Sequence, residues 1–419
     1  MKRFADKLVL LALVAQSALA ADWPQWRGPE RTGHVPPGEV VPVSLPQEPK
    51  VTWRIKVGDG LSSPVIAAGK VFYSDAQEGQ ETLHALEAGS GKELWRVPIA
   101  PLFKDNQTAA APRCTPVVDG DRVYAQSCTG EFKCLDVSSG KQLWQTSFTR
   151  DFGAVFIGEK GNAQGATRHG YNAAPVVDGD LIFATVGSTN GASVVGFEKK
   201  TGKMIWKSQN DVPAYAAPIV ATIEGRKQLV VFTAEGVIGL ELKEGKLLWR
   251  GPLKTTFGRH ITTPVIFENM VVVSSHELGL IGIHVAKEGD GFKASEQWRK
   301  KESAINISSP VAAGQYLYGL GPQRNLICVD IKTGKEMWSK EGYISTSAGN
   351  ASAAFIVMDK NILTLTDGGQ LVMFAADCME FKEISNVQVC GKTWCNPAYA
   401  DGKLYLRDGR ELYCVELIR

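Results

Sequence analysis

The chain has 419 residues, of which 44% are hydrophobic and 21% charged, with 43 glycines and a formal net charge of +2. That length fits two or three ordinary domains or one repeat array. The balanced charge, with no basic run or stripe, speaks against nucleic acid as a partner.

Residues 1–20 read as a secretory signal peptide. Lys2, Arg3 and Lys7 form a positive start, Leu8 to Ala15 an apolar run, and Ala18-Leu19-Ala20 a small-x-small ending with cleavage expected after Ala20. The alternative is an uncleaved anchor, but the run is shorter than the ~20 apolar residues a bilayer requires. No later segment is long and apolar enough to span a membrane. No cysteine opens the mature chain, so a lipid anchor is not expected. The predicted location is periplasmic or secreted. Residues 21–50 follow as an extended, proline-bearing segment, expected to wrap along the surface of the folded body with Trp23 and Trp26 pinning it.

From residue 51 to 419 two patterns recur. In one, a small or polar residue precedes a proline and then an apolar residue, at Pro64, Pro116, Pro175, Pro218, Pro264, Pro310 and Pro397; a copy without proline fits at Ala353 to Val357. These make eight units. The other is Gly-Lys-x-x-Trp, ending at Trp95, Trp144, Trp206, Trp249 and Trp338; the fifth unit has a longer turn before Trp298, and the seventh keeps only Phe381-Lys382-Glu383-Ile384. Unit two shows four predicted strands, Thr115 to Val118, Arg122 to Ser127, Glu131 to Val137 and Lys141 to Phe148, parted by glycine-bearing turns. Four short strands per ~45-residue unit predict propeller blades. The eighth unit ends after three strands, and Val51 to Val57, with Trp53, supplies a fourth from the other end of the chain. Closing the ring this way removes exposed sheet edges. The expected fold is therefore an all-β, eight-bladed, monomeric propeller of four-stranded antiparallel blades. Trp53, Trp95, Trp144, Trp206, Trp249, Trp298 and Trp338 are read as docking one blade on the next.

Of eight cysteines, Cys134, Cys328 and Cys414 share one slot of the repeat with Ala85, as small buried residues do. Cys390 with Cys395, and Cys114 with Cys128, are the two disulfides considered.

The run Asp330-Ile331-Lys332-Thr333-Gly334-Lys335-Glu336-Met337-Trp338 resembles the tryptophan-docking repeat of the pyrroloquinoline-quinone (PQQ)-like propellers. The opening Asp22-Trp23-Pro24-Gln25-Trp26-Arg27-Gly28-Pro29 resembles the start of many exported bacterial members of that group. The resemblance covers nearly all of the chain after residue 20. It implies the eight-bladed fold, and two classes of function: quinoprotein alcohol dehydrogenase, or scaffold in outer-membrane β-barrel assembly, as in the BamB-like members.

The loop leading into the first strand of each blade opens at one mouth of the channel. Those loops carry Arg113, Arg168, His169, Tyr171, Asn172, Tyr215, Arg259, His260, Asn306, Trp394 and Asn396. This set suits a shallow site for an anionic or aromatic partner, although solvation alone also favours polar loops. Residues 99–112 and 151–170 are longer than the corresponding loops of other units, and long loops often carry function. The resemblance to the quinoprotein enzymes implies calcium, a quinone and a pair of adjacent cysteines; the chain has no such pair, and Asp59 is the one carboxylate in these loops. No Gly-x-Ser-x-Gly, His-Glu-x-x-His or Gly-Lys-Ser/Thr phosphate loop is present. The expected function is non-catalytic: a scaffold or binding module for a protein or cell-envelope partner, without metal or cofactor. A PQQ-dependent or other cofactor-using oxidoreductase, with PQQ and calcium at the mouth, is the alternative, and carbohydrate or polymer binding a third.

Overall fold

The structure is a computed structural model that describes residues 22–105, 111–159, 163–289, 291–345 and 351–418. The predicted signal peptide lies outside the described residues. Eight antiparallel sheets of four strands each follow one another around a ring. The first strands of the blades are Val65–Ala67, Val117–Asp119, Val176–Asp178, Ile219–Ile223, Val265–Phe267, Val311–Ala313, Ala353–Met358 and Ala398–Ala400. First strands of neighbouring blades meet at blades one and two, three and four, five and six, and six and seven, and the first meets the last, which closes the ring. Blade two matches its sequence reading closely, with strands Val117–Asp119, Arg122–Gln126, Glu131–Asp136 and Gln142–Ser147. In blade eight the fourth strand is Lys50–Lys56, paired antiparallel with Glu411–Glu416, so the two ends of the chain share one sheet. Among the described residues no helix is long and apolar enough to cross a membrane.

The repeat has a steric explanation. The residue paired across from each docking tryptophan on the third strand is small: Ala85 faces Trp95, Cys134 faces Trp144, Gly196 faces Trp206, Gly239 faces Trp249, Gly282 faces Trp298, Cys328 faces Trp338 and Cys414 faces Trp53. The indole needs that space to lie flat. Blade seven, which lacks the tryptophan, reverses the sizes and sets Met373 against Ser385. A register shift follows the small residue in each of these pairs, as at Cys134/Leu135, and this bulge adds the local twist that turns the ring toward the next blade.

Six tryptophans then bind the neighbouring blade through the indole N–H. Trp53 donates to Ala88 O at 2.8 Å, Trp95 to Val137 O at 3.1 Å, Trp144 to Lys199 O at 3.1 Å, Trp206 to Leu242 O at 2.8 Å, Trp298 to Ile331 O at 2.9 Å and Trp338 to Asp377 O at 2.7 Å. Trp249 differs: its N–H goes to Gln228 Oε1 at 2.6 Å within its own blade. The next blade explains this. Its third and fourth strands, Gly279–Glu288 and Gly291–Lys300, run on as a long hairpin, so the short turn that offers a carbonyl elsewhere is missing. The same reasoning covers blade seven. The blade after it has no turn between third and fourth strands, because these come from opposite ends of the chain, and no docking tryptophan is spent there.

Residues 22–40 lie across the inner strands, deeper than the surface path the sequence reading expected; the segment then returns to the outside, where Leu45 N donates to Ser385 Oγ on the fourth strand of blade seven, Glu383–Gln388, at 2.8 Å. Trp23 bridges Ile66 in blade one, Val118 N donates to Pro24 O, His34 bridges Val357 in blade seven and Tyr399 Oη donates to Val40 O in blade eight. Arg27 and Arg31 explain why the segment goes inward. Both guanidinium groups satisfy carbonyls just before inner strands: Arg27 donates to Pro310 O, and Arg31 donates to Pro175 O at 2.8 Å and Ala174 O at 2.9 Å. The segment thus plugs the channel.

All eight cysteines are free thiols. Neither the Cys114–Cys128 nor the Cys390–Cys395 bridge is formed. Cys134, Cys328 and Cys414 are buried opposite the indoles, as their shared slot suggested.

Candidate functional site

At one mouth of the channel a cavity of about 550 Å³ opens where the loops before the first strands converge. The repeat sets its wall. The residue immediately before the repeat proline lines the cavity in six blades, as Ser63, Thr115, Ala174, Ala217, Thr263 and Asn396. The residue two positions earlier lines it as well, as Leu61, Arg113, Asn172, Tyr215, Ile261 and Trp394. Extended chain points alternate side chains to opposite faces, so this is the expected period of two. The hydroxyls also stitch the blades together. Ser63 Oγ accepts from Asn396 N at 2.9 Å, Ser309 Oγ from Thr263 N at 3.0 Å and Ser308 Oγ from Ala353 N at 2.9 Å.

The floor belongs to the plug. Trp26 lines the cavity and donates its indole N–H to Thr263 Oγ1 at 2.9 Å. Beneath it Arg27 and Arg31, 4% and 1% exposed, form no ion pair with any described carboxylate. Burial lowers both guanidinium groups to about 9, which still leaves them charged at neutral pH.

The two long loops build the basic side. The loop before blade three leans across the mouth: Gly165 N donates to Phe257 O at 2.7 Å, Ala166 N to Pro213 O at 2.8 Å, and Tyr215 Oη donates back to Gly165 O. Gly165 sits at φ +50°, and a Cβ there would fall 1.9 Å from Pro213 O, so only glycine allows the approach. The loop continues into a single helical turn, Ala166–His169, which sets Arg168 and His169 in the wall, with Arg168 6.0 Å above the Phe257 ring. Arg113 Nη2 pairs with Asp105 at 2.7 Å and its Nη1 donates to His169 O at 2.7 Å. His169 Nδ1 lies 3.2 Å from the same Asp105 oxygen and 3.9 Å from Glu159. Burial pushes the His169 ring below its ordinary value, against the pull of Asp105. Asp105, Glu159 and His169 could offer ligand atoms within 4.8 Å of one another to a metal ion, but the Arg113 guanidinium already supplies the cation at Asp105. Arg259 is half-buried in the wall and forms no ion pair among the described residues.

Eight of the eleven mouth residues expected from the sequence therefore line one cavity: Arg113, Arg168, His169, Asn172, Tyr215, Arg259, Trp394 and Asn396. Three do not. Tyr171 is buried against Phe148, ring centres 5.4 Å apart, with its hydroxyl on Val155 O. His260 is buried and stacked on Phe232 at 4.1 Å, with Nδ1 bonded to Thr233 O; burial lowers it to about 4, so its ring is neutral. Asn306 is not among the lining residues; Ile307 and Ser308 line the cavity from its loop. Trp26 and Phe257 were missed. The position before the repeat proline was the available signal for the small wall residues, but nothing local announces that residue 26 reaches the axis.

The opposite side of the cavity is apolar or small: Leu61, Ile307, Ala353 and, at the rim, Trp394, which is 37% exposed. Among the described residues no aspartate or glutamate lines the cavity. Calcium takes six to eight oxygen ligands, usually several of them carboxylates. The described wall residues therefore offer no carboxylate to hold calcium beside a quinone.

Residues 79–340 match the PQQ_2 family, described as outer membrane protein assembly factor BamB. The outer membrane protein assembly factor BamB of Shewanella oneidensis is 21% identical over 339 residues, 74% of this chain and 75% of that protein. Quinohemoprotein alcohol dehydrogenase ADH IIB of Pseudomonas putida is 29% identical over 127 residues, 29% of this chain and 16% of the enzyme. The crystal structure of BamB from Moraxella catarrhalis superposes with a TM-score of 0.62 at 13% identity, covering 88% of this chain and 100% of that one, which shows the shared propeller fold.

Proposed function

The chain belongs to the PQQ_2 family of BamB-like propellers, and on that premise we propose that it is an exported, non-catalytic scaffold that holds a protein partner at its funnel mouth during outer-membrane protein assembly. The observation that carries the reading is the plugged channel. Trp26 and the residues after it close the axis, so the cavity is a cup open to one side, fit to hold a projecting element of another molecule. The signal-like residues 1–20 and the named role of the relatives support a place in the cell envelope. The cofactor-free reading rests on the wall's lack of carboxylates.

The test places a photo-crosslinking amino acid at Trp394 on the rim, and separately at Lys287 on the outer hairpin, in cells that make the protein. One discrete adduct with an outer-membrane assembly component, formed from the rim and not from the hairpin, is the expected result. No rim adduct, together with unchanged outer-membrane protein levels in a deletion strain, would sink the scaffold reading. Titration with PQQ and calcium should release no heat; micromolar binding would overturn the cofactor-free part.

A further inference from the structure

We infer that the funnel mouth selects acidic polypeptide segments, seating a carboxylate on Arg259 and an adjacent apolar or aromatic side chain on the wall of Leu61, Ile307 and Trp394. The inference rests on the partner-holding reading above and names the chemistry of what is held.

Three observations lead to it. The cavity is polarised. Its arginines, Arg113 (paired with Asp105), Arg168 and Arg259, all come from the loops before blades two to five, while the loops before blades six to eight and one contribute apolar, small or amide side chains. A ligand that satisfies both sides carries a negative group next to an apolar one.

The floor adds charge that no described carboxylate pairs with. Arg27 and Arg31 are buried beneath Trp26 and are bonded to carbonyls rather than carboxylates. Fixed charges under low-dielectric walls are screened far less than surface charges, and a cleft focuses their field outward. An anion arriving at the mouth therefore meets attraction from below as well as from the side.

Arg259 is the group with the donors to receive it. It is half-buried in the wall, has no ion pair among the described residues, and lies close enough to Tyr215 and His276 for its charge to bear on both. A guanidinium offers two parallel N–H donors that match a carboxylate. A lone inorganic anion would use these donors but leave the apolar side and most of the ~550 Å³ empty. That volume falls in the range of ligand clefts and leaves room for the neighbouring side chain of a peptide.

The experiment is fluorescence anisotropy of the mature protein with a short labelled peptide alternating Asp and Phe, and with its counterpart carrying Asn for Asp. The Asp peptide should bind about ten-fold tighter or more, as expected for a charged hydrogen bond, and added salt should erode the difference. Arg259→Gln should abolish the discrimination and Arg259→Lys should restore part of it, with unchanged thermal unfolding showing that both variants fold. Equal binding of the two peptides, or full discrimination by Arg259→Gln, would overturn the inference. Displacement of the peptide by citrate or inorganic phosphate at matching concentrations would also overturn it, in favour of a free small anion. These outcomes are separate from the crosslinking result. A rim that captures its partner but ignores peptide charge leaves the scaffold reading standing without this inference.

Discussion

Trp144 lies flat on the backbone of Gly202 in the next blade, its indole Cδ2 2.6 Å from where a Cβ on that glycine would stand. The same relationship joins Trp53 to Gly91, Trp95 to Gly140, Trp206 to Gly245 and Trp298 to Gly334. The glycine of Gly-Lys-x-x-Trp is thus the floor of the previous blade's indole as well as a turn residue.

Gly202→Ala should therefore cost more than its backbone angle alone. Gly202 is at φ +74° and Gly120 at φ +57°, both left-handed, but a Cβ at Gly120 meets nothing within 4 Å. Alanine at 120 should cost about 1 kcal/mol from the left-handed backbone. Alanine at 202 should cost about 2–4 kcal/mol, because the indole must also shift out of a packed site. Urea unfolding of the two variants checks the difference; equal losses would refute the docking role.

Asp75 predicts the acid limb of stability. His84 stands between two carboxylates, Nε2 2.8 Å from Asp75 and Nδ1 2.7 Å from Glu93. Burial pushes the Asp75 carboxyl up, but the bonds from His84, Gly58 N–H and Gln77 outweigh it and hold the carboxyl below its ordinary range. A depressed native value adds stability that is complete above the unfolded value of about 4 and is lost as pH falls through the native one. Asp75→Asn should lower stability at pH 7 by about 1–3 kcal/mol and flatten the decline below pH 4. Thermal melts across that range would show an unchanged acid limb if the account is wrong.

Glu81 should act with the opposite sign. It is buried at the junction of blades one and two, accepts from Cys128 N at 3.1 Å, and burial raises it to about 7. Between about pH 4, the unfolded value, and 7 the native protein holds a proton that the unfolded chain has released, so stability falls as pH rises across that window. Glu81→Gln keeps an acceptor for Cys128 and removes the charge. It should raise the melting temperature at pH 8 and give no gain at pH 4; a loss at pH 8 would contradict this.

Gly165→Ala should separate loop placement from fold. The new Cβ would strike Pro213 O and force the loop before blade three off the mouth, carrying Arg168 and His169 with it. The expected cost is about 1–3 kcal/mol, with a larger relative effect on binding at the mouth than on the melting temperature. Binding unchanged with stability reduced would show that this loop does not shape the site.

The blades were legible because each obeys a local rule. A proline after a small residue marks the first strand, and glycine with tryptophan marks the turn into the last. The mouth was legible to the level of the loop but not of the individual residue. Arg259 and Asn172 face the cavity while their neighbours His260 and Tyr171 face the core, because extended chain alternates and the reading had no phase for it. The repeat proline supplies that phase: one and three positions before it point inward. The path of residues 22–49 could not be read in the same way. Prolines and tryptophans suit an outer surface as well as an axis, and the carbonyls that hold Arg27 and Arg31 belong to blades far along the chain.

The shared sheet of blade eight also governs when the molecule can become whole. Lys50 and Glu416 are bonded neighbours separated by 366 residues of chain. Synthesis at roughly 5–20 residues per second leaves the first strand unpaired for roughly 20–70 s after it is made. Throughout that time Lys50–Lys56 is an open edge, and the segment before it has no axis to enter, because the axis exists only once the blades surround it. Completion must therefore wait for Glu411–Glu416, which acts as the clasp for the first strand.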